Sequence, residues 1–177
     1  MVGLMERVTL TNEEIDELVS SHREFESSGG QIGRRILELS DSKVNGADFS
    51  SLNLSDLVVR NSELLNCVFS DTYLGHANFD GSELVNVSFL NSEISKSEFY
   101  ECSFLNVAFD RANLTRAEFS GSDIRGASFL DAILVGADFD DCNVLGVDFS
   151  RSELRNTYFH GCEVHGELKK LKGVCIK

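Results

Sequence analysis

Between Leu39 and Val164 every fifth residue is apolar, with no slip and no insertion. Positions ending in 9 from Phe49 to Phe159 carry Phe, with Val59 the one departure, and positions ending in 4 carry Val, Leu, Ile or, once, Phe104. Of the 13 Phe residues, Phe25 alone lies off this lattice. A period of five fits neither regular element, since a helical stripe repeats at about 3.6 residues and a half-buried strand at about 2. Held over this length, it predicts a solenoid whose units bury their apolar faces only by stacking on neighbours.

A second inward position strengthens the reading. Two residues before each centre, from Ala47 to Cys162, the chain has Ala, Ser, Cys, Thr or Val at 22 of 24 places, Leu52 and Leu57 being the exceptions. One large and one small residue pointing in, with three pointing out, describe a short flat side followed by a corner. Gly81, Gly121, Gly126, Gly136, Gly146, Gly161 and Gly166 stand two residues after a centre, where a corner requires positive φ. Asn61, Asn66, Asn86, Asn91, Asn106 and Asn156 share that offset and tolerate the left-handed region.

An open stack has two raw ends, so both need covering. Thr11 and Glu14 have the spacing of a capping box, and Leu10 with Ile15 that of a hydrophobic staple, which predicts a helix from about Asn12. Ile15, Leu18, Val19, His22 and Phe25 give it one apolar stripe, and Ser27-Ser28-Gly29-Gly30 ends it. Residues 1–36 therefore read as a helical cap, 37–166 as the repeat body and 167–177 as a cap or tail. In the tail, Leu168, Leu171, Val174 and Ile176 sit among four Lys, with the lattice phase kept only at Val174. It is open whether this is a short cap, an interface strand or the remnant of a longer terminus.

Units such as Ala47-Asp48-Phe49-Ser50, Ala77-Asn78-Phe79-Asp80-Gly81, Ala112-Asn113-Leu114-Thr115-Arg116 and Ala137-Asp138-Phe139-Asp140-Asp141 resemble the A(D/N)LXX motif of the pentapeptide-repeat family. The resemblance covers 26 consecutive units, Leu37 to Gly166. It implies an all-β solenoid, a right-handed quadrilateral β-helix with four units per coil and about six and a half coils. At ~4.8 Å per coil the rod is roughly 31 Å long. Residues 20 apart would then stack, Phe49 to Phe149 along one wall and Phe79 to Phe159 along the opposite one. The N-terminal segment is similar to a leader found ahead of the repeats in some members.

Composition narrows the function classes. The formal charge is −13, split as −3 in residues 1–36, −13 in the repeat body and +3 from Glu167 onward. An acidic rod is repelled by nucleic acid, so direct nucleic-acid binding is not expected. The first residues lack the basic start and apolar run of a secretory signal, and no segment suits a membrane span. Five Cys is an odd number; Cys67, Cys102, Cys142 and Cys162 all fall on the small inward position. Cys142 and Cys162 stack on adjacent coils with side chains parallel, so they read as reduced thiols of a cytoplasmic, bacterial protein. A flat-sided rod offers no deep pocket, and no catalytic grouping of Ser, His and Asp stands out. His160, Cys162 and His165 have metal-like spacing, but Cys162 points in and the two His out. No enzyme, metal or cofactor is expected.

Two outward features remain. Glu98, Glu118 and Asp138 stack on one side, with Asp80 and Asp140 beside them, while Glu63, Glu83, Asp123 and Glu163 stack on the next. Such charge serves solubility without any partner. The resemblance implies a sharper use: some family members imitate B-form DNA, bind DNA gyrase or topoisomerase and protect it from quinolones or peptide toxins. Those members are generally dimers joined through a C-terminal module, whereas this chain has a shorter tail and a leader helix they typically lack. The second feature is Leu65, Val85, Leu105 and Leu145, one outward column interrupted only by Arg125. Leu90 and Leu130 take the equivalent place on the next side, near Val68 and Ala108. The Leu column predicts an interface, covered by the leader helix or by a second molecule, a homodimer included. The sequence therefore points to a protein-binding or scaffolding module of unidentified partner, with gyrase protection as the alternative.

Overall fold

A computed structural model describes residues 7–33, 35–162 and 174–175. In chain order the elements are β1 (Val8–Thr9), α1 (Asn12–Ser27), β2 (Ser42–Asn45), β3 (Glu63–Leu65), β4 (Glu83–Val85), β5 (Ser103–Leu105), β6 (Thr157–Tyr158) and β7 (Val174–Cys175). Strands β1 to β5 form one parallel sheet in that order. From β2 to β5 the register advances by 20 residues per strand, Lys43 to Glu63 to Glu83 to Ser103. Single parallel bridges keep the same offset on three further walls, as in Asp48 with Val68, Asn53 with Tyr73 and Val58 with Asn78. The chain thus turns once every 20 residues through four five-residue sides. Each side bonds both up and down. Phe89 N–H donates to Ala108 C=O at 2.7 Å on the coil above, and Ser88 N–H to Cys67 C=O at 3.1 Å below.

Inside, the two Phe walls face each other. Rings on successive coils stack at 4.8 Å for Phe49 on Phe69 and 4.9 Å for Phe79 on Phe99. Across the core the walls meet edge to face, as at Phe79 and Phe89, 5.8 Å apart and 89° inclined. The quadrupole of each ring favours both geometries. Leu57 and Val59 occupy a place that elsewhere holds a small residue and a Phe, and both are buried. The larger inward neighbour compensates the smaller centre, so core volume is kept.

The small inward position does more than fit. Thr72 Oγ1 donates to Phe49 C=O at 2.9 Å, Thr157 Oγ1 to Leu134 C=O at 2.9 Å, and Ser92 Oγ to Phe69 C=O. Each hydroxyl ties its coil to a centre on the coil before. The corners are equally regular. Left-handed φ occurs at Gly81, but also at 18 residues other than Gly, including Lys96, Glu101, Arg111 and Arg116. The Gly and Asn corners take positive φ as their residue types favour, and Asp, Ser, His, Lys, Glu and Arg fill the others in the same conformation. The coil closure imposes the conformation, as in the turn where Ser82 N–H donates to Phe79 C=O at 3.1 Å. At Gly161 the Asp141 side chain occupies the space of a Cβ, which would lie 1.9 Å from its Oδ1, so a larger residue there requires Asp141 to turn away.

The leader meets the first coil through backbone-like bonds. Helix α1 begins at the expected residue, with Thr11 as N-cap and the reciprocal Thr11–Glu14 capping box formed. Ile15, Val19 and His22 are its buried residues. His22 is more than an apolar stripe position. Its Nδ1 accepts from Ile36 N–H at 2.9 Å, so Nε2 carries the proton and donates to Asn53 C=O at 3.1 Å. Glu26 accepts from Asn53 N–H at 2.7 Å. On the next wall β1 supplies the same service, with Val8 N–H to Asp41 C=O at 2.9 Å and Leu10 N–H to Lys43 C=O at 3.0 Å. At the other end β7 pairs in parallel with β6, Val174 beside Thr157 and Cys175 beside Tyr158. That pairing is out of step with the 20-residue register, so the lattice phase of Val174 does not set it. Glu163, Val164, His165 and Gly166 lie outside the described residues.

Candidate interaction surfaces

The structure brings each acidic column into register but treats the two very differently. Glu98, Glu118 and Asp138 are consecutive bridge partners on one wall. Glu118 is held above the usual carboxylate range, first by burial and then by the like charges of Glu98, Asp138 and Asp80. The polar neighbours of this column are neutral: Asn78 donates to both Glu98 and Asp80, and Ser120 to Asp138 at 3.4 Å. On the adjacent wall Glu63 and Glu83 carry their own cations. Lys43 Nζ donates to Glu63 at 2.8 Å, and Arg7 Nη1 lies 3.9 Å from Glu63 and 3.5 Å from Glu83. Arg125 grips Asp123 at 2.6 Å and holds that carboxyl below its ordinary range. Glu63, Glu83 and Asp123 are therefore largely compensated, whereas among the described residues Glu98, Glu118 and Asp138 form the uncompensated stripe.

Asp80 and Asp140, which flank that stripe, have a structural task. Asp80 Oδ1 accepts from Tyr100 N–H at 3.0 Å and Asp140 Oδ1 from His160 N–H at 2.8 Å. Asp110 does the same for Leu130 N–H at 3.1 Å on another wall. These carboxylates satisfy backbone donors one coil on, a role that outward position and charge alone do not reveal.

Leu65, Val85 and Leu105 align through β3, β4 and β5. Leu65 and Val85 are half-buried, while Leu105 is 55% and Leu145 61% exposed. The hydrogen bonds of α1 fall on Ile36 and Asn53, away from this column, so the helix does not cover it, while Arg7 of the leader reaches Glu63 and Glu83 on the strands of Leu65 and Val85. Val68, Leu90, Ala108 and Leu130 are half-buried on the next wall. Beside the Leu column runs an amide ladder at the corner: Asn66 donates to Asn45, Asn86 to Asn66 and Asn106 to Asn86, at 2.9, 2.9 and 3.1 Å.

Cys67, Cys102, Cys142 and Cys162 carry free thiols. Burial pushes Cys102 and Cys142 up to about 12, which removes the thiolate that reactivity would need. Cys162 Sγ donates inward to Phe139 C=O at 2.9 Å, while His160 Nδ1 faces outward to Asp140 Oδ2 at 2.9 Å. The two diverge as their positions dictate, and His165 is outside the described residues. Among the described residues no group of three His, Cys, Asp or Glu is placed to hold a metal ion. Nor is any helix among them long and apolar enough to cross a membrane.

The uncompensated stripe gives a testable sign. Because Glu118 is raised in the fold, its ionised form opposes folding at neutral pH. Stability is gained as pH falls through the raised folded value, until the unfolded carboxyl also protonates. Glu118→Gln is expected to raise the melting temperature at neutral pH and to flatten the gain on mild acidification. Thermal melts at the two pH values check this; a variant less stable at both would contradict it.

The fold and its walls define a parallel β-helix with chemically distinct flat sides. Two family models match the chain, one described as a pentapeptide repeat region over residues 92–167 and one as pentapeptide repeats (8 copies) over residues 67–106. The chain belongs to the pentapeptide-repeat proteins, whose fold is the right-handed quadrilateral β-helix. Among solved structures, full-length QnrB1, a plasmid-mediated fluoroquinolone resistance protein, is similar with a TM-score of 0.51 and 18% identity, over 79% of this chain and 84% of QnrB1. HetL, a pentapeptide repeat protein involved in heterocyst differentiation regulation in the cyanobacterium Nostoc, aligns with a TM-score of 0.26 and 13% identity, over 77% of this chain and 94% of HetL. No curated protein matches the chain in sequence.

Proposed function

We propose that the chain is a non-enzymatic, cytoplasmic protein-binding module. Its rod of residues 37–166 comprises 26 units in six and a half coils, capped by the leader 1–36 and followed by the tail 167–177. The observation that supports it best is the outward column of Leu65, Val85, Leu105 and Leu145, interrupted only by Arg125, on a wall that α1 leaves open. Rigid rods present such columns without any ordering cost on binding. The decisive measurement is capture of a protein partner by the purified chain, repeated with Leu105→Lys and Leu145→Lys. Loss of capture with unchanged β content supports the reading, and capture that ignores both changes removes this wall from it.

The second reading, imitation of DNA toward gyrase or another topoisomerase, is favoured by one specific feature. Among the described residues no cation pairs with Glu98, Glu118 or Asp138, where self-neutralised acids would give a basic groove nothing to attract. Reversing all three to Lys is expected to abolish protection of gyrase from a quinolone while the rod stays folded, as circular dichroism would show. Wild-type protein that never competes with DNA for gyrase at low salt, where steering is strongest, would exclude the mechanism.

A further inference from the structure

On their shared wall, Leu65 and Leu145 stand symmetrically about the rung of Leu105. Asn45, Leu65, Val85 and Leu105 are successive partners in β2 to β5, and the bridges Ser103 with Asp123 and Asp123 with Asn143 carry the column on to Arg125 and Leu145. Leu65 and Leu145 each stand two rungs from Leu105. Val85 and Arg125 each stand one rung from it, on opposite sides. We propose that this wall binds a second copy of the chain, antiparallel to the first, with Leu105 on the two-fold axis. The proposal deepens the protein-binding reading and rests on it, by naming one occupant of the wall.

Arg125 decides the direction. In a parallel pair with the Leu columns facing, each Arg125 would meet its own counterpart, bringing like charges together. In the antiparallel pair Leu65 meets Leu145 of the other copy, and Leu105 meets Leu105. Arg125 then lies over Val85 and Asp123 over Glu83, so Arg125, bonded to Asp123 and diagonal to Glu83, sits between the two facing carboxylates. The side chains of Glu83 and Arg125 are 55% and 57% exposed, long enough to meet across the gap. Each already has a partner within its own chain, Arg7 at 3.5 Å and Asp123 at 2.6 Å. Pairing across the axis therefore extends an ion network and leaves no charge buried alone. The Asn45–Asn66–Asn86–Asn106 ladder lines the corner as a polar rim.

Size sets the strength. Five rungs at ~4.8 Å, on a strand three residues wide, give a footprint of a few hundred Å² per copy, well short of the ~800 Å² of a stable complex. The dimer is accordingly weak, with a dissociation constant on the order of 10–100 µM, within the range of a sedimentation concentration series.

Sedimentation equilibrium over a concentration series, with the full chain, tests it. Wild type is expected to pass from monomer to dimer with no higher species. Leu105→Lys sets two ammonium groups against each other on the axis and should weaken the dimer at least about tenfold. Arg125→Glu and Glu83→Arg should each weaken it, and the double variant should recover most of the loss, because the pair is exchanged rather than removed. Circular dichroism and melting curves establish that each variant is folded. A wild type monomeric throughout the series, a dimer indifferent to Leu105→Lys, or a double variant no tighter than either single would overturn the proposal. Capture of a different protein that still depends on Leu105 would then leave the binding-module reading standing while this one falls.

Discussion

Phe99→Ala is expected to lower the stability of the chain by ~3–5 kcal/mol, the range for emptying a buried aromatic site. Phe99 is fully buried and stacks at 4.9 Å on both Phe79 and Phe119. It also meets Phe109 edge to face at 5.7 Å. A globular core relaxes into part of such a void; this one has little room to do so. The Phe99 N–H is bonded to Glu118 C=O at 2.7 Å, and the coils on either side are pinned by the same ladder. Their spacing is set by hydrogen bonds, so the walls cannot close over the gap. Leu105→Ala, a truncation of similar kind on the outside of the rod, should stay within about 0.5 kcal/mol. Chemical denaturation of the two variants beside wild type measures the contrast. A loss below about 1 kcal/mol for Phe99→Ala would show that the core is more compliant than its ladder implies.

The same lattice explains what was legible in the sequence. A centre at every fifth position leaves no choice of which face turns inward, so Phe89, Phe109 and Leu114 were readable as core from spacing alone. The box of Thr11 and Glu14 announced the helix start because its chemistry is local, three residues end to end. Other features depend on residues far apart in the chain, and there the pattern was silent. The neutralisation of Glu63 and Glu83 by Arg7 brings together groups more than fifty residues apart. Nothing in the spacing marks Asp80 as a backbone acceptor, because an outward carboxylate looks the same whether it meets water or Tyr100 N–H. The bond between Asp123 and Arg125 was within reach, since residues flanking one centre point the same way. His22 was placed on the helix stripe by period and took on its bonding role only once Ile36 and Asn53 came beside it. Local features and stacking at the 20-residue register can be read ahead of the fold, and partnerships off that register, such as Arg7 with Glu83, cannot.

Removing the leader, residues 1–30, is expected to have the largest effect on the state of the protein. On each wall a coil satisfies the coil above it, and the first coil has none below. Among the described residues, His22 and Glu26 stand in for that missing backbone at Asn53, and β1 does so at Asp41 and Lys43. Deletion leaves Asn53 N–H and C=O, Ile36 N–H and two further carbonyls without partners. At about 1–3 kcal/mol for each such group that stays buried, the loss amounts to several kcal/mol. It also opens a parallel edge to pairing with other copies. The deletion variant should therefore associate, seen as a rise in scattered light while parallel β content is kept. His22→Ala is the milder version, since it takes away one acceptor and one donor and spares β1. It should lower the melting temperature without association. Gly33→Ala should act through the return from helix to rod. With φ at +83° and a Cβ that would lie 2.1 Å from Ser21 C=O and 2.7 Å from Phe25 N, that turn admits no side chain. A deletion variant that stays monomeric and melts with wild type would show that the leader does not hold the first coil.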